Sequence, residues 1–265
     1  MSIATNYFEN LCLNPLRGLP ANAPAQVYVA LFLTNPGETG AGTEVTGGGY
    51  ARQPVTFSAP AETSAGVQSI SNIASIVFPT ASAAWGTITY VALMDSISAG
   101  NMLHYIQLST PKEGLQSSTI SFVAGELRID ATGQFTTYYK TAALNLLRGN
   151  SIAAIAQTYL SLHTADPGEA GSFSGEVIAA TYTRKAAAWG TPAEQGTGNM
   201  TMTNSGEIAF PQVGSTAWGS ISYFGVCDAS SGGNMILRAA ASPVINFVDG
   251  DRMTVTAGTF TIFAA

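Results

Sequence analysis

The feature that most constrains this chain is that it contains one pattern twice. The segment NPLRG at residues 14–18 recurs as NLLRG at residues 145–149, and NPGE at 35–38 recurs as DPGE at 166–169. Further matches follow in the same order: Glu44 and Glu176, Tyr50 and Tyr182, Arg52 and Arg184, Asn72 and Asn204, Trp85 and Trp218, Asp95 and Asp228, Met102 and Met235. The offset drifts from 131 to 133, because loops accept single insertions at little cost. We therefore predict a tandem duplication, with domains at residues 1–131 and 132–265.

Each repeat is long enough to bury a core of its own and far longer than the unit of a solenoid. Both repeats start with apolar residues three and four positions apart, which indicates a short helix. These residues are Phe8, Leu11, Cys12 and Leu16 in the first repeat, and Tyr139, Ala142, Ala143, Leu146 and Leu147 in the second. Gly18 and Gly149 follow, where helices commonly end.

The rest of each repeat has the pattern of short strands. The apolar run at 27–33 is typical of a strand buried on both faces, and residues 86–95 alternate with period two. We predict strands in the first repeat at 27–33, 50–57, 70–78, 86–95, 102–109, 118–123 and 126–129. Gly, Pro and Asn separate them, with no helices between. The predicted fold is all-β: two tandem antiparallel β-sandwich (jelly-roll-like) domains, each preceded by a short α-helix.

Composition excludes several classes of protein. Apolar residues make up 46% of the chain and charged residues only 10%, yet no apolar run approaches the roughly 18 residues of a membrane-spanning helix. The N-terminus lacks the pattern of a secretory signal. A net charge of −6 without a basic stripe argues against nucleic acid as a partner. We expect neither membrane nor nucleic-acid binding, and we expect the apolar surface to lie against other proteins.

Catalytic or metal-binding residues of a duplicated enzyme would most simply occur in both repeats. His104 and His163 fail this criterion, because Leu237 and Phe32 stand at the matching positions. Cys12 and Cys227 lack nearby cysteines or histidines, which predicts buried thiols without a disulfide or zinc site. The triple glycine at 47–49 precedes a strand and not a helix, unlike a nucleotide-binding loop. We therefore predict no catalytic, cofactor-binding or metal-binding residue, no cofactor and no enzyme.

The polar and aromatic residues present in both repeats have structural explanations, although alternatives exist. Asp95 and Asp228 precede hairpin turns, where we expect them to accept hydrogen bonds that close the turn; a calcium or carbohydrate ligand is the alternative. Trp85 and Trp218 suit the edge of a sandwich core, with stacking on a sugar or a partner as the alternative. The remaining pairs, Arg52 with Glu44 and Arg184 with Glu176, are candidate ion pairs; Glu38 and Glu169 belong to turns.

These residues resemble a family of tailed-bacteriophage virion proteins. The likeness rests on 28–38, on EVTGGGYARQ at 44–53, on the Trp85-Gly86 strand and on the AGEL segment at 124–127, and the second repeat shares it. Members of that family are often described as tail-fibre proteins, and related sandwich proteins decorate capsids as cement. The resemblance implies no catalytic residue.

Two functions follow from the resemblance. The first is a capsid cement or decoration protein that bridges and stabilises capsomers on the capsid exterior. Its partners would be the major capsid protein and copies of the chain itself, as a dimer or trimer. The alternative is a tail-fibre or adsorption component that binds a host glycan or protein through loops 37–49 and 169–181. The absence of shaft repeats favours the capsid.

Overall fold

A computed structural model describes residues 2–196 and 198–264, without the side chain of Ser2. The first repeat contains β1 (Ser2–Ala4), α1 (Asn6–Leu13) extended by a 3-10 turn (Asn14–Arg17), β2 (Val27–Phe32), β3 (Gln53–Val55), β4 (Ala61–Ser64), β5 (Val67–Ser71), β6 (Ile76–Val77), β7 (Gly86–Met94), β8 (Met102–Gly114), β9 (Ser121–Phe122) and β10 (Arg128–Ala131). The second contains α2 (Thr137–Leu146), β11 (Thr158–His163), β12 (Lys185–Ala187), β13 (Ala193–Gln195), β14 (Asn199–Thr203), β15 (Ile208–Gln212), β16 (Gly219–Cys227), β17 (Met235–Phe247), β18 (Arg252–Val255) and β19 (Thr261–Phe263).

The sheets of the two repeats correspond, except that β1 has no counterpart among the described strands of the second repeat. In the first repeat a five-stranded sheet has the order β1-β8-β7-β2-β3, and smaller sheets have the orders β10-β5-β4 and β6-β9. In the second repeat the sheets are β12-β11-β16-β17, β13-β14-β19 and β15-β18. All strand pairs in these sheets are antiparallel. The prediction of an all-β fold with tandem antiparallel sandwiches is confirmed.

The main sheet of each repeat packs its inner face against the small sheets. In the first repeat the inner cluster contains Val29 and Leu31 of β2 together with Ile70 of β5 and Ile129 of β10. The opposite face of β2 is buried too, because Ala30 and Phe32 belong to a separate outer cluster. This explains why the sequence of β2 is continuously apolar instead of alternating.

A buried asparagine ties the small sheet to its neighbours in each repeat. Asn72 donates from Nδ2 to the carbonyls of Ala74 (2.9 Å) and Val123 (2.8 Å), and its Oδ1 accepts from the N–H of Leu127. Asn204 makes the corresponding three bonds in the second repeat. These bonds satisfy backbone groups that would otherwise be buried without partners.

The strand predictions are confirmed most closely for the long central strands. Other predicted strands are wrong in extent. Residues 50–57 form a strand only at Gln53–Val55, residues 118–123 only at Ser121–Phe122, and residues 70–78 are split between β5 and β6. The predicted strand 102–109 continues to Gly114, and the one at 126–129 lies at Arg128–Ala131. The strand β4, which no pattern predicted, has every residue exposed. A strand with water on both faces has no need for apolar residues at alternate positions, and so it leaves no periodic signal.

The expectation that each repeat has a core of its own requires each helix to pack only within its own repeat. Neither helix does so. Helix α1 contributes Phe8 and Cys12 to the first core, but its end, Leu13, packs in the second core with Leu16 of the following turn. In return, Leu144 and Leu146 of α2 pack in the first core, and Tyr139 packs in the second. Helix α1 lies against β14 of the second repeat, and α2 lies against β5 of the first. The repeats therefore exchange helical contacts across a shared seam.

Candidate functional site

The loop after β2 is fixed to the rest of the first repeat by the side chain of Arg52. Its Nε and Nη2 donate to the two carboxylate oxygens of Glu44, at 2.8 and 2.7 Å. Its Nη1 donates to the carbonyls of Ser96 (2.8 Å) and Ala99 (2.7 Å) in the β7–β8 turn. One guanidinium thus joins two loops at the same end of the sandwich. The bidentate geometry is the one in which arginine binds a carboxylate most strongly.

The second repeat has the same anchor. Arg184 donates to both oxygens of Glu176 at 2.7 Å, and its Nη1 donates to the carbonyls of Ala229 and Gly232. The ion pairs predicted from the repeated spacing are therefore present in both copies. The second pair is buried more deeply: the arginine and glutamate side chains are 4% and 14% exposed, against 8% and 23% for Arg52 and Glu44.

The repeated aspartates close the turns that the arginines bind. Asp95 accepts hydrogen bonds from the backbone N–H of Asn101 at 2.7 Å and from its Nδ2 at 2.8 Å. Asp228 accepts the same two bonds from Asn234, at 2.7 and 2.9 Å. This is the predicted structural role of an aspartate before a hairpin turn. Within the described residues, no group of three or more His, Cys, Asp or Glu side chains is arranged to hold a metal ion.

The repeated tryptophans lie in the cores. Trp85 is 4% exposed and donates from Nε1 to the carbonyl of Gly48 at 3.1 Å. Trp218 is 3% exposed and contacts Thr181 Oγ1 in the corresponding loop. Rings buried in this way pack against neighbours such as Tyr50, whose ring centroid is 5.7 Å from that of Trp85. The alternative of a sugar-stacking role for these two rings is wrong in this conformation, because neither face is accessible.

Both histidines are buried. Burial lowers the pKa of His104 to about 3 and that of His163 to about 4, so both rings are neutral near pH 7. His163 Nε2 lies 2.9 Å from Ser161 Oγ, which also lies 3.4 Å from Cys227 Sγ. Burial raises the pKa of the Cys227 thiol to about 11. His163, Ser161 and Cys227 are each 0% exposed, so no substrate reaches them. The trio is a buried polar cluster under the outer face of the sheet, in which Nδ1 of His163 has no hydrogen-bond partner among the described residues.

The seam between the repeats contains a pair of equivalent helix residues with opposite charge. Glu9 of α1 is 4% exposed, and its Oε2 accepts a hydrogen bond from the backbone N–H of Met200 at 2.7 Å. Its counterpart in α2 is Lys140, which is 2% exposed and donates to the carbonyl of Gly66 at 2.7 Å. Each side chain thus reaches the small sheet of the other repeat. The two residues also line one narrow apolar crevice between the helices.

The electrostatic surroundings of these two side chains differ. Lys140 forms an ion pair with Glu169 at 2.6 Å, and Arg238 also binds Glu169. Burial alone would raise the pKa of Glu169. The hydrogen bonds and charges of Lys140 and Arg238 outweigh burial and lower that pKa. Glu9 faces the carboxylates of Glu38 and Glu194 instead. Burial raises the pKa of Glu9 to about 7, and repulsion by these carboxylates adds to the effect, although the hydrogen bond from Met200 lowers the pKa. Burial likewise raises the pKa of Glu38.

Glu38 and Glu169, predicted to belong to turns, also contribute to the seam. Glu38 accepts from the hydroxyl of Tyr105 at 2.9 Å and from the N–H of Asn6 at 3.2 Å. Glu169 contacts the turn at Gly66. Sequence reasoning missed Glu9 and Lys140, although their identical place in the two repeats and their opposite charge were a usable signal.

The comparisons with known proteins give one result. A protein-family model described as "Podophage GP4 fiber I protein gp80" matches residues 3–130 and again residues 134–263. Two successive matches to one family thereby cover nearly the whole chain. No curated protein matches the chain. Among the described residues, no helix is both long enough and apolar enough to cross a membrane.

Proposed function

The chain belongs to the family of the podophage GP4 fiber I protein gp80 and is a tandemly duplicated structural protein of a bacteriophage virion; on this basis we propose that it works in the tail fibre. The single observation that carries the proposal is the match of both repeats to a family described as a fibre protein. The loops that the two Arg–Glu anchors hold are the proposed contact surface. Virion proteins, copies of this chain included, are the proposed partners.

We also propose that the chain is not an enzyme. The two histidines and the two cysteines are buried in the protein. Arg52 and Arg184 form the ion pairs that anchor the loops. Rigid anchoring of loops by charge-assisted hydrogen bonds suits a protein that transmits force or presents a fixed surface.

A second candidate, favoured by the composition, is capsid cement. The observation that favours it is the seam: exchange of helical contacts joins the repeats into one body that carries two like surfaces. Such a body can contact two neighbouring capsid sites with a high effective concentration for the second contact. Membrane and nucleic acid remain outside both proposals.

Electron microscopy of virions labelled with gold-conjugated antibodies against the purified chain tests these candidates. Label at the tail supports the fibre proposal. Label distributed over the capsid overturns it in favour of cement, and virions without label overturn both.

A binding experiment with purified components is the independent check. A fibre component does not bind expanded capsids and leaves their melting temperature unchanged. A cement protein binds expanded capsids and raises that temperature.

A further inference from the structure

The first repeat has a cavity that its second copy has filled. The cavity, about 250 Å³ in volume, opens beside the Arg52–Glu44 anchor. Its apolar walls are Phe32, Met94 and Met102, and the loop at Gly40 and Gly42 forms its rim. A cavity of about 150 Å³ in a protein core is large enough for a benzene ring. The cavity therefore has room for one aromatic group.

The occupant in the second repeat is Phe173. The loop GAGT at 40–43 is matched by GSFSG at 171–175, one residue longer. The centroid of the Phe173 ring lies 4.4 Å from Arg184 Cζ, and the ring stacks on His163 with centroids 6.4 Å apart. Phe173 is half-buried, whereas Ala41 in the shorter loop is exposed. The two anchors are otherwise the same, so the second repeat shows which group fits over the guanidinium.

The hydrogen bonds of Arg52 use the edges of its guanidinium group and not its faces, and the side chain lines the cavity. Its donors to Glu44, Ser96 and Ala99 hold the group in one orientation. An arginine held in this way attracts an aromatic ring placed over its face, because the cation interacts with the negative face of the ring. Both arginines are buried, and the Arg52 side chain is slightly more exposed than that of Arg184, at 8% against 4%.

The walls of the cavity in the first repeat are more apolar than those in the second. Phe32 and Met94 stand where the second repeat has His163 and Cys227. Together with Met102 they form part of the outer cluster. Methionine sulfur and methyl groups pack well against ring edges. An aromatic ring entering the cavity would therefore meet the small exposed parts of these apolar side chains as well as the guanidinium.

We propose that this cavity of the first repeat is a binding site for one aromatic side chain, Phe or Tyr, of a partner protein. The ring lies over Arg52 as Phe173 lies over Arg184, with its edge against Met94 and Met102. The presence of the partner in the virion rests on the proposed function. The chemistry of the site rests on the comparison of the two repeats alone.

Methyl NMR of the full chain, labelled at methionine methyl groups, tests the chemistry. The probe is N-acetylphenylalanine amide, and the expected result is a ring-current shift of the Met94 and Met102 signals, with a dissociation constant of about 1–10 mM. The control chain has residues 41–43 (AGT) replaced by SFSG, so that its own phenyl group fills the cavity. We expect at least tenfold weaker binding to that chain. Equal binding, no shift in the original chain, or shifts caused by glucose in place of the probe would overturn the proposal.

The variant Phe173→Ala is the reciprocal experiment. It opens the second cavity, so the probe should also shift the signal of Met235, which lies beside that loop. The spread of the methyl signals shows whether each variant is folded. If the folded Phe173→Ala chain shows no probe-dependent shift at Met235, the inference that an aromatic ring binds over the arginine of this anchor is overturned.

Phage carrying the loop replacement test the partner. We expect at least tenfold less of the chain in purified virions than in phage carrying Phe173→Ala. Equal incorporation overturns the partner proposal. The antibody labelling described above reports the place of the chain in the virion independently, so the two failures are distinguishable.

Discussion

Ala21 and Ile152 exchange two backbone hydrogen bonds, each 2.9 Å long. The two residues occupy the same position in their respective repeats. When equivalent residues pair reciprocally, the pair lies on the twofold axis that relates the two copies. The chain thus has the internal contacts of an isologous dimer whose halves are joined covalently. Glu9 and Lys140, which are also equivalent, line the crevice between the helices.

The first prediction concerns the join between the repeats. A protease recognition sequence inserted between Thr132 and Gly133, both exposed, should allow complete cleavage without dissociation, because the buried helical contacts stay in place. Size-exclusion chromatography after cleavage should give one peak at the volume of the intact chain, while a denaturing gel shows two fragments. Two half-size species under native conditions would contradict the shared seam.

The second prediction concerns Glu9 and pH. The pKa of Glu9 is raised to about 7 in the folded chain, against roughly 4.3 when unfolded. The contribution of the protonated Glu9 carboxyl to the free energy of unfolding is therefore fully present below about pH 4.3, and it is lost as the pH rises through about 7. Glu9→Gln should remove this decline and raise the free energy of unfolding at pH 8 by roughly 1–3 kcal/mol. Urea unfolding at pH 5 and pH 8 measures both values.

Glu207→Gln is the matched control for the loss of one negative charge, because Glu207 is exposed. We expect the control to leave the pH dependence as it is. A Glu9→Gln chain that loses stability at pH 8 would show that the carboxylate is stabilised at the seam and not strained there.

The third prediction compares the two anchors. Arg184→Met leaves the carboxylate of Glu176 buried without its partner, which should cost about 3–5 kcal/mol of unfolding free energy. Arg52→Met should cost less, about 1–3 kcal/mol, because Glu44 is more exposed and water can solvate its charge. Urea unfolding of both variants at pH 7 gives the comparison. Equal losses would contradict the expectation that the exposure of Glu44 weakens the dependence of the first repeat on its arginine.

The fourth prediction concerns the turn closed by Asp95. Gly100 has φ +75°, and a Cβ atom there would lie 2.3 Å from Asp95 Oδ1 and 2.6 Å from Ser96 Cβ. Gly100→Ala should therefore lower the stability by about 2–4 kcal/mol, from backbone strain plus the clash. Gly125→Ala is the control: its φ is +82°, but its Cβ would meet nothing within 4 Å, so about 1–2 kcal/mol is expected. Thermal unfolding midpoints of the two variants measure the difference. An equal decrease of the midpoint in Gly125→Ala and Gly100→Ala would contradict the predicted clash.

The sequence alone was sufficient where the signal is local or repeated. The period-two pattern of residues 86–95 predicts β7 almost to its ends, and the continuous apolar run predicts that β2 is buried on both faces. The recurrence of Arg52 eight residues after Glu44 predicts their ion pair, because a short loop brings the two side chains together. Short exposed strands such as β4 have no apolar face, and so they remained invisible.

The duplication, the all-β class and the two loop anchors were determined by the sequence, because each depends on residues close together in the chain or compared across the repeats. Only the tertiary structure decided how the repeats share their helices and that Phe173 fills a place left open beside Arg52. Glu9 meets Met200 across 191 residues of chain, and no local pattern specifies such a partner. This contact is determined by the packing of whole helices and strands, which is driven by the burial of apolar surface between the two repeats.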